Sequence, residues 1–126
     1  KNIFIFVSYI VISSFTFTCL GIQPVEASTS KNEKLIERIS KDYTNKFCNS
    51  IAFGLSKDSA MKFSNKENDL IFKKKKGVEN LDKYLVANEI AISVVEDCGY
   101  LVNLSGEKGI NEFKNDYISM NDLISN

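Results

Sequence analysis

"ENLDKYLVANEIAISVVEDCG", residues 79–99, decides the fold. Across it Leu81, Tyr84, Leu85, Asn88, Ala91, Ile92 and Val95 recur at three- and four-residue spacing, and Val86, Ile90 and Val94 widen the apolar stripe. That period belongs to an α-helix, because residues three and four apart share a face, whereas a half-buried strand alternates every second residue. An apolar arc this broad needs neighbours on more than one side, so the segment is expected at the centre of a bundle. Gly99 is the expected C-terminal cap.

The segments on either side read the same way. From Ser30 to Leu55 the residues Leu35, Ile36, Ile39, Tyr43, Phe47, Ile51 and Leu55 form one stripe, while Glu37/Lys41 and Asp42/Lys46 pair across one turn on the other side. Gly54 is placed to stop this helix and Ser56 to cap the next, with Asp58 favouring its positive end. The second helix is expected to run to about Lys74 with Ala60, Phe63, Leu70 and Ile71 inward and a polar middle, "SNKEN", at 64–68. After Gly99, "YLVNL" at 100–104 reads as a loop or a short extended piece. Ser105 then starts a last helix carrying Ile110, Phe113 and Tyr117.

No proline follows Pro24 and the connectors are short. The expected fold is therefore all-α, a small antiparallel bundle of about four helices. A faint repeat, "CNSIAFGLS" at 48–56 against "CGYLVNLS" at 98–105 and "NDLI" at 68–71 and 121–124, reads either as a duplicated helix pair or as chance in a chain rich in Lys, Asn and Ile.

The N-terminal stretch has Lys1, an apolar run from Ile3 to Leu20, a helix-ending Gly21 to Pro24 and then Val25-Glu26-Ala27. This is the order of a secretory signal peptide, with Ala27/Ser28 as the expected cut, residues 1–27 removed and residues 28–126 forming a single helical domain. The apolar run is roughly eighteen residues, borderline for crossing a bilayer, so an uncleaved N-terminal anchor is the alternative. A lipid anchor at Cys19 fits less well, because the bulky Phe17 stands where a lipoprotein box needs small residues.

Without residues 1–27 the thiols are Cys48 and Cys98. In an oxidising compartment two thiols make one disulfide, and both lie on or beside the apolar stripes of the first and third helices, which places them to meet. A reactive thiol would want a cation or a helix N-terminus. Cys98 instead follows Glu96 and Asp97 at a helix C-terminus. The structural staple is the leading reading, with a thiol–disulfide redox pair as the alternative.

The absence of His removes Ser-His-Asp and Cys-His catalysis, imidazole general bases and His-ligated metals together. "GEKG" at 106–109 lacks the Ser or Thr and the preceding strand of a phosphate loop and reads as helix initiation. Carboxylates such as Glu67/Asp69 and Asp116/Asp122 alternate with Lys and Asn on polar faces. With no recognisable catalytic constellation, the chain reads as non-enzymatic, with no catalytic residues, no metal and no cofactor. Asn103-Leu104-Ser105 is formally a glycosylation sequon, meaningful in a eukaryotic secretory pathway.

The formal net charge is +0, which argues against nucleic acid as a partner. The distribution says more: residues 31–76 carry twelve Lys or Arg against six Asp or Glu, and residues 77–126 carry three against nine. Phe72 followed by Lys73, Lys74, Lys75 and Lys76 is the sharpest feature. It reads either as a hydrated helix end whose lysines favour the dipole, or as a docking patch for an acidic protein face or an anionic membrane surface.

"FCNSIAFGLSKDSAMKF" at 47–63, "KKKKGVENLDKYL" at 73–85 and "VVEDCGYLVNLSGEKGINEF" at 94–113 together resemble a group of small uncharacterised exported proteins of marine cyanobacteria of the Prochlorococcus and Synechococcus type. The resemblance covers most of the chain after residue 27, although Leu101 stands where Pro is expected after "CGY". It implies no catalytic residues and a location in the periplasm or thylakoid lumen, with or without membrane association. The expected function is that of an exported, non-enzymatic helical module that binds an unknown protein partner or membrane complex.

Overall fold

The computed structural model describes residues 26–125, with side chains from Ser30 to Asp122. The expected signal segment and Cys19 therefore lie outside the described residues up to position 25, and Ala27 and Ser28 fall in the backbone of the first helical turn. Among the described residues are four α-helices and no strand: α1 Glu26–Ala52, α2 Lys57–Phe72, α3 Lys83–Cys98 and α4 Gly106–Ser125. Short 3-10 turns occupy Val78–Asn80 and Gly99–Val102. None of these helices is long and apolar enough to cross a membrane.

Each boundary has a local cause. The α1–α2 turn is closed by Gly54 N–H donating to Ile51 and Leu55 N–H to Ser50, with Gly54 at φ 93°, a left-handed conformation that costs glycine little. Ser56 then caps α2, its hydroxyl accepting from the Ser59 N–H at 3.3 Å. Asp82 caps α3 by accepting from the N–H groups of Tyr84 and Leu85.

Gly99 is the C-cap of α3, as expected, its N–H donating to the Val95 carbonyl oxygen, but without the left-handed conformation of a usual glycine cap. Gly99 is right-handed at φ −55° and leads into the 3-10 turn, while the left-handed residue is Asn103 at φ 59°. Glycine is required at 99 for space, since a Cβ there would sit 2.5 Å from the Leu104 carbonyl oxygen.

α1 packs against both α2 and α3, and α3 packs against α4; α2 touches α4 more lightly. Cys48 meets Cys98 in a disulfide with Cα atoms 5.7 Å apart, and Ser40 Oγ donates to the Glu89 carbonyl oxygen at 3.0 Å. Two meetings in the same chain order make α1 and α3 run in the same direction, while each consecutive pair is antiparallel. The core fills the space between them. Phe113 of α4 reaches edge-on to Phe47 at 5.1 Å and to Tyr43 at 6.4 Å, and Tyr117 meets Tyr43 at 5.2 Å.

α3 packs between α1 and α4, and its inward arc is rotated from the expected one. Ala87, Ile90, Ala91, Val94 and Cys98 are buried, whereas Tyr84 is 71% exposed and Leu85 points largely outward. The buried arc follows the line that Cys98 and the Ser40 contact impose on the helix.

Replacing Cys48 and Cys98 together by Ser frees a loop spanning a sequence separation of 50. Chain entropy puts the loss at about 4 kcal/mol, out of a total of about 5 to 15 kcal/mol for a domain of this size. Urea unfolding of the oxidised protein and the double variant checks this through the shift in midpoint.

Candidate functional site: the outward face of the second helix

α2 sits in the bundle with its polar side inward. Ala60, Met61, Ser64, Asn65, Asn68 and Phe72 are buried, while Phe63 is 46%, Leu70 73% and Ile71 41% exposed. The expectation that Phe63, Leu70 and Ile71 face the core is thus reversed, with Ala60 alone of that set inside. Burial of Met61 and Phe72 on the opposite face, together with polar contacts at both ends of α2, accounts for the reversal. Asn68 Nδ2 donates to the Ile39 carbonyl oxygen at 3.0 Å and to Asp42 Oδ2 at 2.9 Å, and Asp42 in turn pairs with Lys46. At the start of the helix, Lys57 reaches α4 to pair with Asp116 at 2.7 Å and Glu112 at 3.2 Å. Residues 57, 61, 64, 68 and 72 share one helical face, so anchoring 57 and 68 turns that face in and the opposite one out.

The inward polar face is imperfectly satisfied. Ser64 Oγ and both amide atoms of Asn65 are buried without a protein partner, as are Tyr43 Oη and Thr44 Oγ1 on α1. A buried unpartnered polar group costs about 1–3 kcal/mol. α2 is therefore held by polar anchors at its ends, with a middle that contributes less than an apolar interface would.

Outward, Phe63 and Leu70 stand among the exposed Lys62, Lys66, Lys73 and Lys74. The lysine cluster expected from the sequence is the C-terminal end of this surface, with one change: Phe72 is only 5% exposed, and Lys75 lies over its ring with Nζ 4.4 Å from the centroid. Lys73, Lys74 and Lys76 remain exposed. The sequence pattern placed Phe63 and Leu70 inward and did not single out Lys62 and Lys66 as part of this surface. The small and amide residues Ala60, Ser64 and Asn68, spaced four apart, were the signal for the opposite phase.

Two concave surfaces flank the bundle. An open groove of about 760 Å³ runs between the first half of α1 and α3, with Ile36, Leu85 and Ile92 along it and Glu33, Glu37, Glu89, Glu96 and Asp97 outnumbering Lys34 and Lys41. A smaller cleft of about 400 Å³ lies where the end of α2, the Val78–Asn80 turn and α4 converge, and includes Asn68, Phe72, Leu81 and Tyr117. Among the described residues no group of three or more His, Cys, Asp or Glu is placed to hold a metal ion. Cys98 is 2% exposed, inside the bundle.

Among the described residues, three groups hold their protons more tightly than usual. Burial raises Tyr43 well above its ordinary value, with the neighbouring Tyr117 adding to it. Burial also pushes Tyr117 up to about 12, opposed by a hydrogen bond from Asn121 and helped by the charge of Asp69. At Lys57 burial disfavours the charge, but hydrogen bonds and attraction from Asp116 and Glu112 outweigh it, and the ammonium is held above its ordinary value.

All three shifts have the same sign for stability. A raised folded-state pKa contributes fully below the unfolded value, near 10.0 for tyrosine and 10.5 for lysine, and is lost as pH climbs toward the folded value. The unfolding free energy is expected to fall as pH rises from about 10 toward 12, with a shallower fall in Tyr117→Phe, read by urea titration at each pH. Separately, Ser64→Ala removes a buried unpartnered hydroxyl and is expected to stabilise by about 1 kcal/mol, seen as a higher urea midpoint at unchanged slope.

No protein-family model, no curated protein and no solved structure matches this chain. The geometry of its own residues is what bears on its function.

Proposed function

We propose that the chain is an exported, non-enzymatic helical module that docks on a protein partner or membrane complex through the basic, apolar face of α2. The observation that carries this reading is the inversion of that helix. A domain of this size that keeps Ser64, Asn65 and Asn68 inside while leaving Phe63 and Leu70 in water has placed apolar side chains of this helix where another surface can meet them. Lysines around apolar side chains steer acidic partners and fix their orientation. The periplasm or thylakoid lumen is the compartment, a reading supported by the N-terminal Lys1 to Ala27 pattern, by the resemblance to exported cyanobacterial proteins and by a disulfide that persists where thiols are oxidised.

Gentle solubilisation of native membranes, followed by co-purification on a C-terminal tag at low and moderate salt, tests this. A stoichiometric partner is expected at low salt, reduced at moderate salt and reduced further when Lys73 to Lys76 are replaced by Gln. Recovery of the chain as a monomer at both salts, with neither another polypeptide nor a second copy bound, or retention indifferent to the four substitutions and to Leu70→Ser, overturns the reading.

The competing thiol–disulfide function would use Cys48 and Cys98. Cys98 is buried and Cys48 partly buried, so an attacking thiolate is confined to the Cys48 sulfur. As a structural staple the bridge is expected to have a reduction potential below about −300 mV. Equilibration with thiol buffers measures it, and a value near those of the oxidoreductases would restore the redox reading.

A further inference from the structure

We infer that the outward face of α2 docks into the groove between α1 and α3 of a second copy of the same chain. The inference rests on the proposed function and names one partner for its docking face. Two surfaces described above match each other in polarity, in sign and in length.

The match in polarity is between apolar centres. Phe63 and Leu70 stand out from α2, and Ile36, Leu85 and Ile92 line the groove. The match in sign is between their surroundings. Lys62, Lys66, Lys73 and Lys74 border the helix face and outnumber Glu67 and Asp69 on its rims, and the groove carries Glu33, Glu37, Glu89, Glu96 and Asp97 against Lys34 and Lys41. The lengths also agree: at a rise of about 1.5 Å per residue, the α2 face from Lys62 to Lys74 and the α1 wall from Ser30 to Lys41 are each roughly 17 Å long. An amphipathic helix laid in a groove with complementary rims is a recurrent mode of recognition.

The two surfaces lie at different places on one molecule, so a copy whose groove is filled still offers its own α2. Such a head-to-tail contact extends into a chain or closes into a ring rather than stopping at a symmetric dimer. One helix face buries well under the roughly 800 Å² per partner of a stable interface, which makes the association weak and salt-sensitive.

The test uses the full chain, expressed with its N-terminal segment and purified in neutral detergent, with the processed form read by intact mass. Sedimentation velocity across the micromolar range should show a weight-average mass that rises with concentration at low salt and falls back at moderate salt. One variant reverses the face, Lys66→Glu with Lys73→Glu, and another reverses the groove, Glu37→Lys with Glu89→Lys. Each alone should weaken association at least about tenfold, because like charges then meet.

Mixed together, the two variants present opposite net charges at each face-to-groove contact and should associate again. A folding defect in either variant cannot produce that recovery. Monomer at every concentration in low salt, or no recovery on mixing, overturns the inference. Binding of the monomer to vesicles of anionic lipid, lost in Lys66→Glu/Lys73→Glu, assigns the face to a membrane and likewise overturns the copy-to-copy contact. In that case, or if the monomer still co-purifies with a different polypeptide in a salt-sensitive way, the proposed function stands; with neither, both readings fall.

Discussion

The bridge between Cys48 and Cys98 is the constraint on which the rest of the structure depends. It ties the ends of α1 and α3, which run in the same direction and pack along their length, and so creates a two-helix spine. α2 and α4 fold back from that spine, one from each helix. Because the covalent loop from 48 to 98 contains all of α2, the bridge also limits how far that helix can stray in the unfolded chain. A domain this small buries a modest share of its surface, and a cross-link offsets what its core cannot supply.

Around the spine, the apolar core is concentrated on the side where Phe47, Tyr43, Phe113 and Tyr117 interlock. α2 contributes Met61, Ala60 and Phe72 to the interior but also Ser64, Asn65 and Asn68, and its grip comes from directed bonds: Asn68 on the Ile39 carbonyl and Asp42, Lys57 on Asp116 and Glu112. Directed bonds specify an orientation where apolar packing would tolerate several. The result is a helix with a fixed phase and an apolar, lysine-bordered outer face, which is the physical basis for reading the molecule as a docking module.

The same division explains the two-signed charge. The basic half is the α1–α2 hairpin and the acidic half is the α3–α4 hairpin. Lysines that look like a hydrated tail at 73–76 are continuous with Lys62 and Lys66 once the helix is wound, so a local run in the sequence becomes the end of a longer surface. The acidic groove arises differently, from residues of α1 and α3 some fifty positions apart that the disulfide brings side by side.

By itself the sequence determined the class and the count of elements. Periodicity of three and four residues, capping by Ser56 and the stop at Gly54 are local properties, and each is set by the chain's own geometry. The pairing of Cys48 with Cys98 was legible too, because both thiols lie on the inward lines of their helices. Only the tertiary structure decided the rotational phase of α2 and α3. Phase follows from which neighbour offers a partner: the Ile39 carbonyl to Asn68, the two α4 carboxylates to Lys57, and the Glu89 carbonyl to Ser40. Hydrophobicity alone favoured burying Phe63 and Leu70. Long-range contacts, which no window of sequence contains, turned them outward: Met61 and Phe72 pack inward beside Asn68 and Lys57.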